Sequence, residues 1–385
     1  MIPDQQKNLL LAIAASLVIV VGFNIIFPPP PVPGEVEKSE QAADPKVAPS
    51  AGSQGDNKIA QQETSNKAKF LDDGPKLGSD VSDVMPKATP TSAENTAMSR
   101  GAALKKGPRV QITSSRLSGS INLTGGRIDD LVLRNYRETL DPTSDEIVLL
   151  LPVGSDRPYY AEFGWLGNGV KTPNSKTVWQ TSSSKLSPDK PVTLSWNNGQ
   201  GMVFEREISL DKDYVFEIIQ RVRNVTKNSY SLAPYGLVSR TGTPSVLGFY
   251  ILHEGLIGVL EGALQEVDYD DFEESGPKRF ETTGGWLGIT DKYWLAALIP
   301  NQEKMVKTSF VSHTRGNHQA YQADFLSPAL TVNPGGTIET RSHFFAGAKE
   351  KKLLDSYNKS LNILLTILTY PKKQLHVLQN QFHPN

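Results

Sequence analysis

The chain has 385 residues, 38% of them apolar and 21% charged, with a formal net charge of −1 and no cysteine. Near-neutral charge with no basic stripe excludes the concentrated positive surface that phosphate binding needs, so no nucleic-acid partner is expected. The lack of cysteine excludes thiol nucleophiles, disulfides and cysteine-ligated zinc, and it is compatible with an oxidising envelope compartment.

The first predicted element is residues 8–27, NLLLAIAASLVIVVGFNIIF, a stretch without a charge. About 20 such residues cross ~30 Å of hydrocarbon as a helix. A cleavable signal would have a shorter apolar core followed by a small-residue site, whereas this core runs into Pro28-Pro29-Pro30-Pro31. A globular core helix would show a polar face, and this one has none. Residues 1–27 therefore read as an uncleaved anchor. Lys7 and the terminal amine, partly offset by Asp4, favour a cytoplasmic N-terminus, with the bulk of the chain outside.

Residues 28–106 are rich in Pro, Ala, Ser, Lys, Asp and Gln, and Phe70 is their only aromatic. Too little apolar surface is available to offset the entropy of ordering, so a disordered linker is expected, locally extended at PPPPVP.

At Pro108 the pattern changes to period-two alternation. Val110 and Ile112, Ile121 and Leu123, then Ile128, Leu131 and Leu133 alternate around a turn at Gly125-Gly126. Val192, Leu194 and Trp196, a loop at Asn197–Gly201, and Met202, Phe204, Ile208 and Leu210 read as a hairpin, continued by Tyr214, Phe216 and Ile218. Later strands are expected at Tyr293–Ile299 and at Ile338–Phe344. No amphipathic helix of three turns is evident between 108 and 347, so residues 107–348 are expected to form one large, mainly β sandwich domain. Beyond it, Leu353, Leu354, Tyr357 and Leu361 recur at helical spacing. Residues 349–363 thus read as a short amphipathic helix, suited to the membrane surface or to packing on the domain. The apolar run 361–370 is too short to span a bilayer.

Candidates for chemistry are sparse. His313 and His318 lie close in sequence, and His253 adjoins Glu254, but the second histidine of a zincin helix is missing. Loop and strand-edge histidines are expected. Asp268–Glu274 lacks the spacing and glycine of a calcium loop and reads as a solvated acidic loop. Gly284-Gly285 and Gly335-Gly336 read as turns, because neither pair opens a helix. Trp165, Trp286 and Trp294 read as packing aromatics rather than a sugar platform. No catalytic, metal or cofactor site is expected.

One block is distinctive: Gly285, Trp286, Leu287, Gly288, Ile289, Thr290, Asp291, Lys292, Tyr293 and Trp294, running on to Pro300. With Tyr250–Gly255, Phe344–Glu350, Leu353–Tyr357 and the opening Asp4–Leu10, it resembles the bacterial YidC membrane insertases, in their anchored form with a large periplasmic domain. The resemblance implies a galactose-mutarotase-like supersandwich in the periplasm, single-pass attachment to the inner membrane, and a part in inserting and folding inner-membrane proteins. Nascent inner-membrane proteins and components of the Sec translocon are the implied partners, and the chain is not expected to be an enzyme. In that family the amphipathic helix leads to further membrane helices, whose groove carries a buried arginine. Here the sequence departs after Ile363, residues 364–385 form a divergent tail with no groove arginine, and a truncated or frameshifted product is expected. A carbohydrate-binding or mutarotase-like envelope protein and a tethered periplasmic adaptor are the alternatives.

The anchor reading predicts that protease added to spheroplasts digests the β domain while residues 8–27 stay with the membrane. Full protection of the domain would reverse the assigned orientation.

Overall fold

A computed structural model describes residues 98–244, 253–272 and 276–361. The expected anchor, linker residues 28–97, Tyr250–Leu252, Glu273-Glu274 and the tail lie outside the described residues.

Helix α1 (Arg100–Leu104) leads into a meander of β1 (Arg109–Thr113), β2 (Leu117–Asn122) and β3 (Arg127–Arg137). Strands β4 (Glu146–Leu150) and β5 (Tyr159–Gly167) both pair with β3. Two short strands, β6 (Gln180–Thr181) and β7 (Lys185–Leu186), precede β8 (Val192–Asn197), β9 (Met202–Leu210) and β10 (Val215–Asn224), which form a second meander. Then follow β11 (Tyr230–Thr241), β12 (Gly255–Leu260), β13 (Ala263–Asp268), β14 (Lys278–Thr283), β15 (Trp286–Thr290) and β16 (Trp294–Ile299). The series closes with β17 (Met305–Arg315), β18 (His318–Leu326), β19 (Leu330–Val332), β20 (Thr337–Ala348) and helix α2 (Lys351–Ser360).

Among the described residues these strands build two sheets. One has the order β14-β17-β18-β11-β5-β3-β2-β1-β7, with β4 on β3 and β19 on β11. The other runs β13-β12-β15-β16-β20-β10-β9-β8-β6. The result is a mainly β sandwich. Its core lies between the sheets and is filled by Trp165, Phe204, Phe216 and Phe344, all essentially inaccessible. Phe344 ties the layers together, meeting Phe163 edge-on at 6.3 Å and Phe216 at 6.0 Å.

Strand β9 shows why the expected hairpin forms. Met202, Phe204, Arg206, Ile208 and Leu210 point into the core while the residues between them face outward. Arg206 is the exception in chemistry. It donates to the carbonyl of Gly126 at 2.6 Å and to that of Phe163, and its guanidinium lies 4.9 Å from the Trp179 ring. Burial pushes its pKa down to about 10, so it remains a cation held by carbonyl dipoles and an indole face. Gly126 has φ +65°, and a Cβ there would meet Arg206 Nη1 at 2.7 Å, so the turn and the arginine specify each other.

The first sheet also buries its second face. Paired residues share a face, and register places Tyr235 opposite Gly164 and Leu326, Leu237 opposite Glu162 and Asp324, and Ser239 opposite Tyr160 and Gln322. Arg127 donates to Glu162 at 2.6 Å, and Tyr235 donates to the other Glu162 oxygen at 2.8 Å. Asp324 accepts from Ser309 at 2.7 Å and Gln322 at 2.5 Å.

Order reaches further toward the N-terminus than composition implied. The linker was expected to extend to residue 106, yet α1 already folds within it: Ser99 caps Ala102 N–H at 3.3 Å, and Arg100 pairs with Asp130 at 2.6 Å. The correction has a simple cause. The stabilising partner belongs to β3 and is invisible to local composition. At the other end, α2 turns Leu354 and Tyr357 onto the domain, taking the packing option of its two expected roles.

Burial raises the pKa of Asp324 to about 7, despite the Gln322 and Ser309 hydrogen bonds that oppose it. An unfolded aspartate ionises near ~4, so between that pH and about 7 the folded state holds a proton that the unfolded state has lost. Stability from this group is therefore complete at low pH and falls as pH rises toward 7. Urea titrations should show Asp324→Asn gaining about 3 kcal/mol relative to the parent between pH 4 and pH 8. A pH-independent difference would contradict the assignment.

Candidate functional site: the junction at the C-terminal helix

The distinctive block forms the β15–β16 hairpin. Gly285 has φ +88°, and a Cβ on Gly288 would lie 2.1 Å from the Ala296 carbonyl oxygen, so both glycines answer a close approach of backbone. Trp286, Leu287, Ile289 and Thr290 are buried in β15, and Pro300 follows β16, its carbonyl accepting from Gln302 at 2.7 Å. Nothing of this strand is available to a ligand. The polar part of the block lies at the turn, where Asp291 N–H donates to the Trp294 carbonyl at 2.9 Å.

That turn is pinned from three directions. Arg240 of β11 pairs with Asp291, and Glu254 accepts the Lys292 N–H at 2.9 Å. Lys349 donates its backbone N–H to the Tyr293 carbonyl and its Nζ to Thr290 Oγ1, both at 2.9 Å. Burial lowers the Lys349 pKa to about 8, with the Asp291 and Glu254 charges resisting the shift. Trp294 stacks edge-on against Tyr136 at 5.0 Å.

The next residue completes the junction. Glu350, the N-cap of α2, accepts from Arg116 at 2.6 Å, Tyr136 at 2.9 Å and Tyr214 at 3.2 Å. Arg116 also pairs with Asp213 at 2.9 Å. Burial raises Tyr214 to about 12, so all three donors stay protonated at neutral pH. Two turns on, the Tyr357 hydroxyl donates to Asp211 and accepts the Tyr214 N–H at 3.3 Å. The first residues of the helix are thus tied to the β1–β2 connection, β3, the β9–β10 turn and the β15–β16 turn. Such charge-assisted bonds are the stronger kind, and four separate attachments fix direction as well as position.

The other sequence candidates do not converge. His253 is bonded to Asp268 at 3.0 Å and to the Leu256 carbonyl at 2.9 Å, while its neighbour Glu254 serves Lys292. His313 lies on β17 and His318 on β18, where His318 faces Asp156 at 3.5 Å. In the acidic stretch, Asp268, Asp270 and Asp271 are exposed, but Tyr269 and Phe272 are buried against Tyr321 at 4.5 and 6.0 Å. Among the described residues no three His, Asp or Glu side chains are grouped to hold a metal. Trp165 and Trp286 are core residues. Arg116, Tyr136 and Arg240 were not singled out from sequence. Their partners lie far along the chain, and a single sequence carries no signal for such pairs.

Fold and junction define a two-sheet β domain whose exit helix is clamped to its edge. The family described as the YidC periplasmic domain matches residues 109–366, from β1 through α2, and the chain belongs to this family. It is similar to a membrane protein insertase YidC of Methylobacterium sp. (strain 4-46), at 42% identity over 94% of this chain and 58% of that protein. Another, of Bradyrhizobium diazoefficiens, is 45% identical over 72% of this chain and 47% of its own length. The chain thus spans about half the length of these curated relatives. Among solved structures, a galactose mutarotase-like protein from Lactobacillus casei shares 12% identity with a TM-score of 0.40, covering 62% of this chain and 99% of that one. A putative aldose 1-epimerase from Escherichia coli K12 shares 10% with a TM-score of 0.39, covering 62% and 98%.

Glu350→Ala strands three donors, so it should cost about 2 kcal/mol and speed hydrogen exchange throughout α2. Glu350→Gln should recover part of the loss. Unchanged exchange in α2 would show that the helix is held by its apolar face alone.

Proposed function

We propose that this chain is the membrane-anchored, envelope-facing part of the machinery that inserts and folds inner-membrane proteins. Residues 1–27 are its single inner-membrane anchor, and a linker beginning at residue 28 carries the periplasmic β domain, 107–348. This domain is a docking and chaperone-like module that performs no covalent chemistry. Its partners are nascent inner-membrane proteins, with or without the Sec translocon. The observation that carries the reading is the junction at Glu350. A helix tied to both sheets transmits the domain's orientation to the chain that follows it, which a freely hinged domain would not do. An epimerase-like reading would need a general acid and base facing one cleft, and His253 and Glu254 are instead committed to separate structural bonds.

The test uses the full chain in cells producing an arrested polytopic inner-membrane protein of known sequence. Photo-crosslinkers replacing the exposed Leu264 or Val225 should capture that protein, and Glu350→Ala should weaken capture several-fold. Equal capture of an arrested soluble secretory protein would defeat the reading.

A further inference from the structure

Five lysines gather at the end of the sandwich away from α2. Strand register fixes where that end lies. Arg109 of β1 faces Asn122 of β2, which also faces Arg127 of β3, and Gly167 of β5 faces Leu232 of β11. In the other sheet Arg223 of β10 faces Thr337, where β20 begins, and β20 reaches α2 only at its far end.

The segments that meet there hydrogen-bond to one another. Leu123 donates to the Pro108 carbonyl at 3.0 Å, and Gly125 of the β2–β3 turn donates to that of Thr177 at 2.7 Å. Asn198 of the β8–β9 turn donates to the Lys171 carbonyl at 3.1 Å. Val225, just past β10, donates to that of Gly201 at 2.8 Å, and Gly335, before β20, donates to that of Asn224 at 2.9 Å. One continuous rim results, made of residues 105–108, 122–126, 168–178, 197–201, 224–229 and 333–336.

This rim holds Lys105, Lys106, Lys171, Lys176 and Lys227, and neither an aspartate nor a glutamate. All five lysines are exposed, and none is ion-paired among the described residues. At the opposite end cations and carboxylates mix and pair: Arg116 with Asp213 and Glu350, Arg240 with Asp291, Lys351 with Asp355. Uncompensated cations grouped on one end raise the potential over that end. Among them stand Val178 and Val225, each 56% exposed, and Lys171 Nζ lies 5.8 Å from the half-buried Trp196 ring. Along the chain these lysines are scattered, so the sequence shows no basic stripe and only the fold assembles one.

We propose that this rim docks on an anionic bilayer surface, its lysines at the level of the lipid phosphates and its two valines in the headgroup boundary. The shape favours a bilayer over an acidic peptide. Peptides are taken up by a free strand edge or a groove. This end instead presents strand termini closed by turns, across five neighbouring strands of ~4.8 Å spacing and two sheets ~10 Å apart. Cations spread over such a footprint meet many mobile phosphates at once, each lysine strengthening attachment about fivefold. The chain as a whole carries −1, so an anionic surface attracts this end and not the rest.

The chain has no cysteine, so a single thiol carries a single label. The full chain with Val225→Cys, bearing an environment-sensitive fluorophore, is reconstituted into phosphatidylcholine vesicles with and without phosphatidylglycerol. Brominated acyl chains should quench the label about threefold more in the anionic vesicles, and high salt should abolish the difference. Lys105→Gln, Lys171→Gln, Lys176→Gln and Lys227→Gln together should remove it. The same loss of charge at Lys190, Lys212, Lys352 and Lys359 should not. Equal quenching in neutral and anionic vesicles would overturn the proposal, as would an equal effect of the two sets of substitutions. A label left unquenched in anionic vesicles but responding to a polyglutamate peptide would assign the rim to an acidic protein and overturn it too.

Discussion

The sandwich depends on one buried charge. Arg206 sits in a row of β9 whose other members are Met202, Phe204, Ile208 and Leu210, and an apolar residue there would pack without a polar partner. Instead its guanidinium reaches across the core to carbonyls of the opposite sheet, at Gly126 and Phe163, and stacks on Trp179. Removing a guanidinium from water is costly, and only a fixed set of dipoles and a ring face offsets that cost. The consequence is registry. Apolar sheet faces can slide over one another, but the arginine keeps both carbonyl bonds at only one relative position of β9, β5 and the β2–β3 turn.

Around that fixed core, polar interactions concentrate where elements leave the sandwich. The β15–β16 hairpin has apolar strands and a polar turn, and the two parts do different work. Its glycines let neighbouring backbones approach, while Asp291, Lys292 and Thr290 attach the turn to Arg240, Glu254 and Lys349. Glu350 then draws Arg116, Tyr136 and Tyr214 to one carboxylate oxygen. The helix is held by hydrogen bonds at its first residue and by Leu354 and Tyr357 along its length, so its direction is a property of the whole domain.

The two faces of the first sheet contrast in kind. The inner face is filled by large rings and aliphatic chains. The outer face mixes a small apolar cluster with Arg127, Glu162 and Asp324, an arrangement whose buried charges are compensated only in part by the strands themselves.

Legible in the sequence were the mainly β class, the hairpin from Val192 to Leu210, a helix within 349–363 and the family, because each rests on local periodicity or a contiguous block. Strands β5 and β12 were not legible: both are covered on two sides, so burial erases the alternation that marks a half-exposed strand. Position 206 was passed over because an arginine in an apolar row reads as a break in the pattern. Asp130, Arg116 and Arg240 meet partners 30, 234 and 51 residues away, respectively. Those pairs follow from the packing of distant segments, which is set by how two sheets meet, and no local property of either segment encodes it.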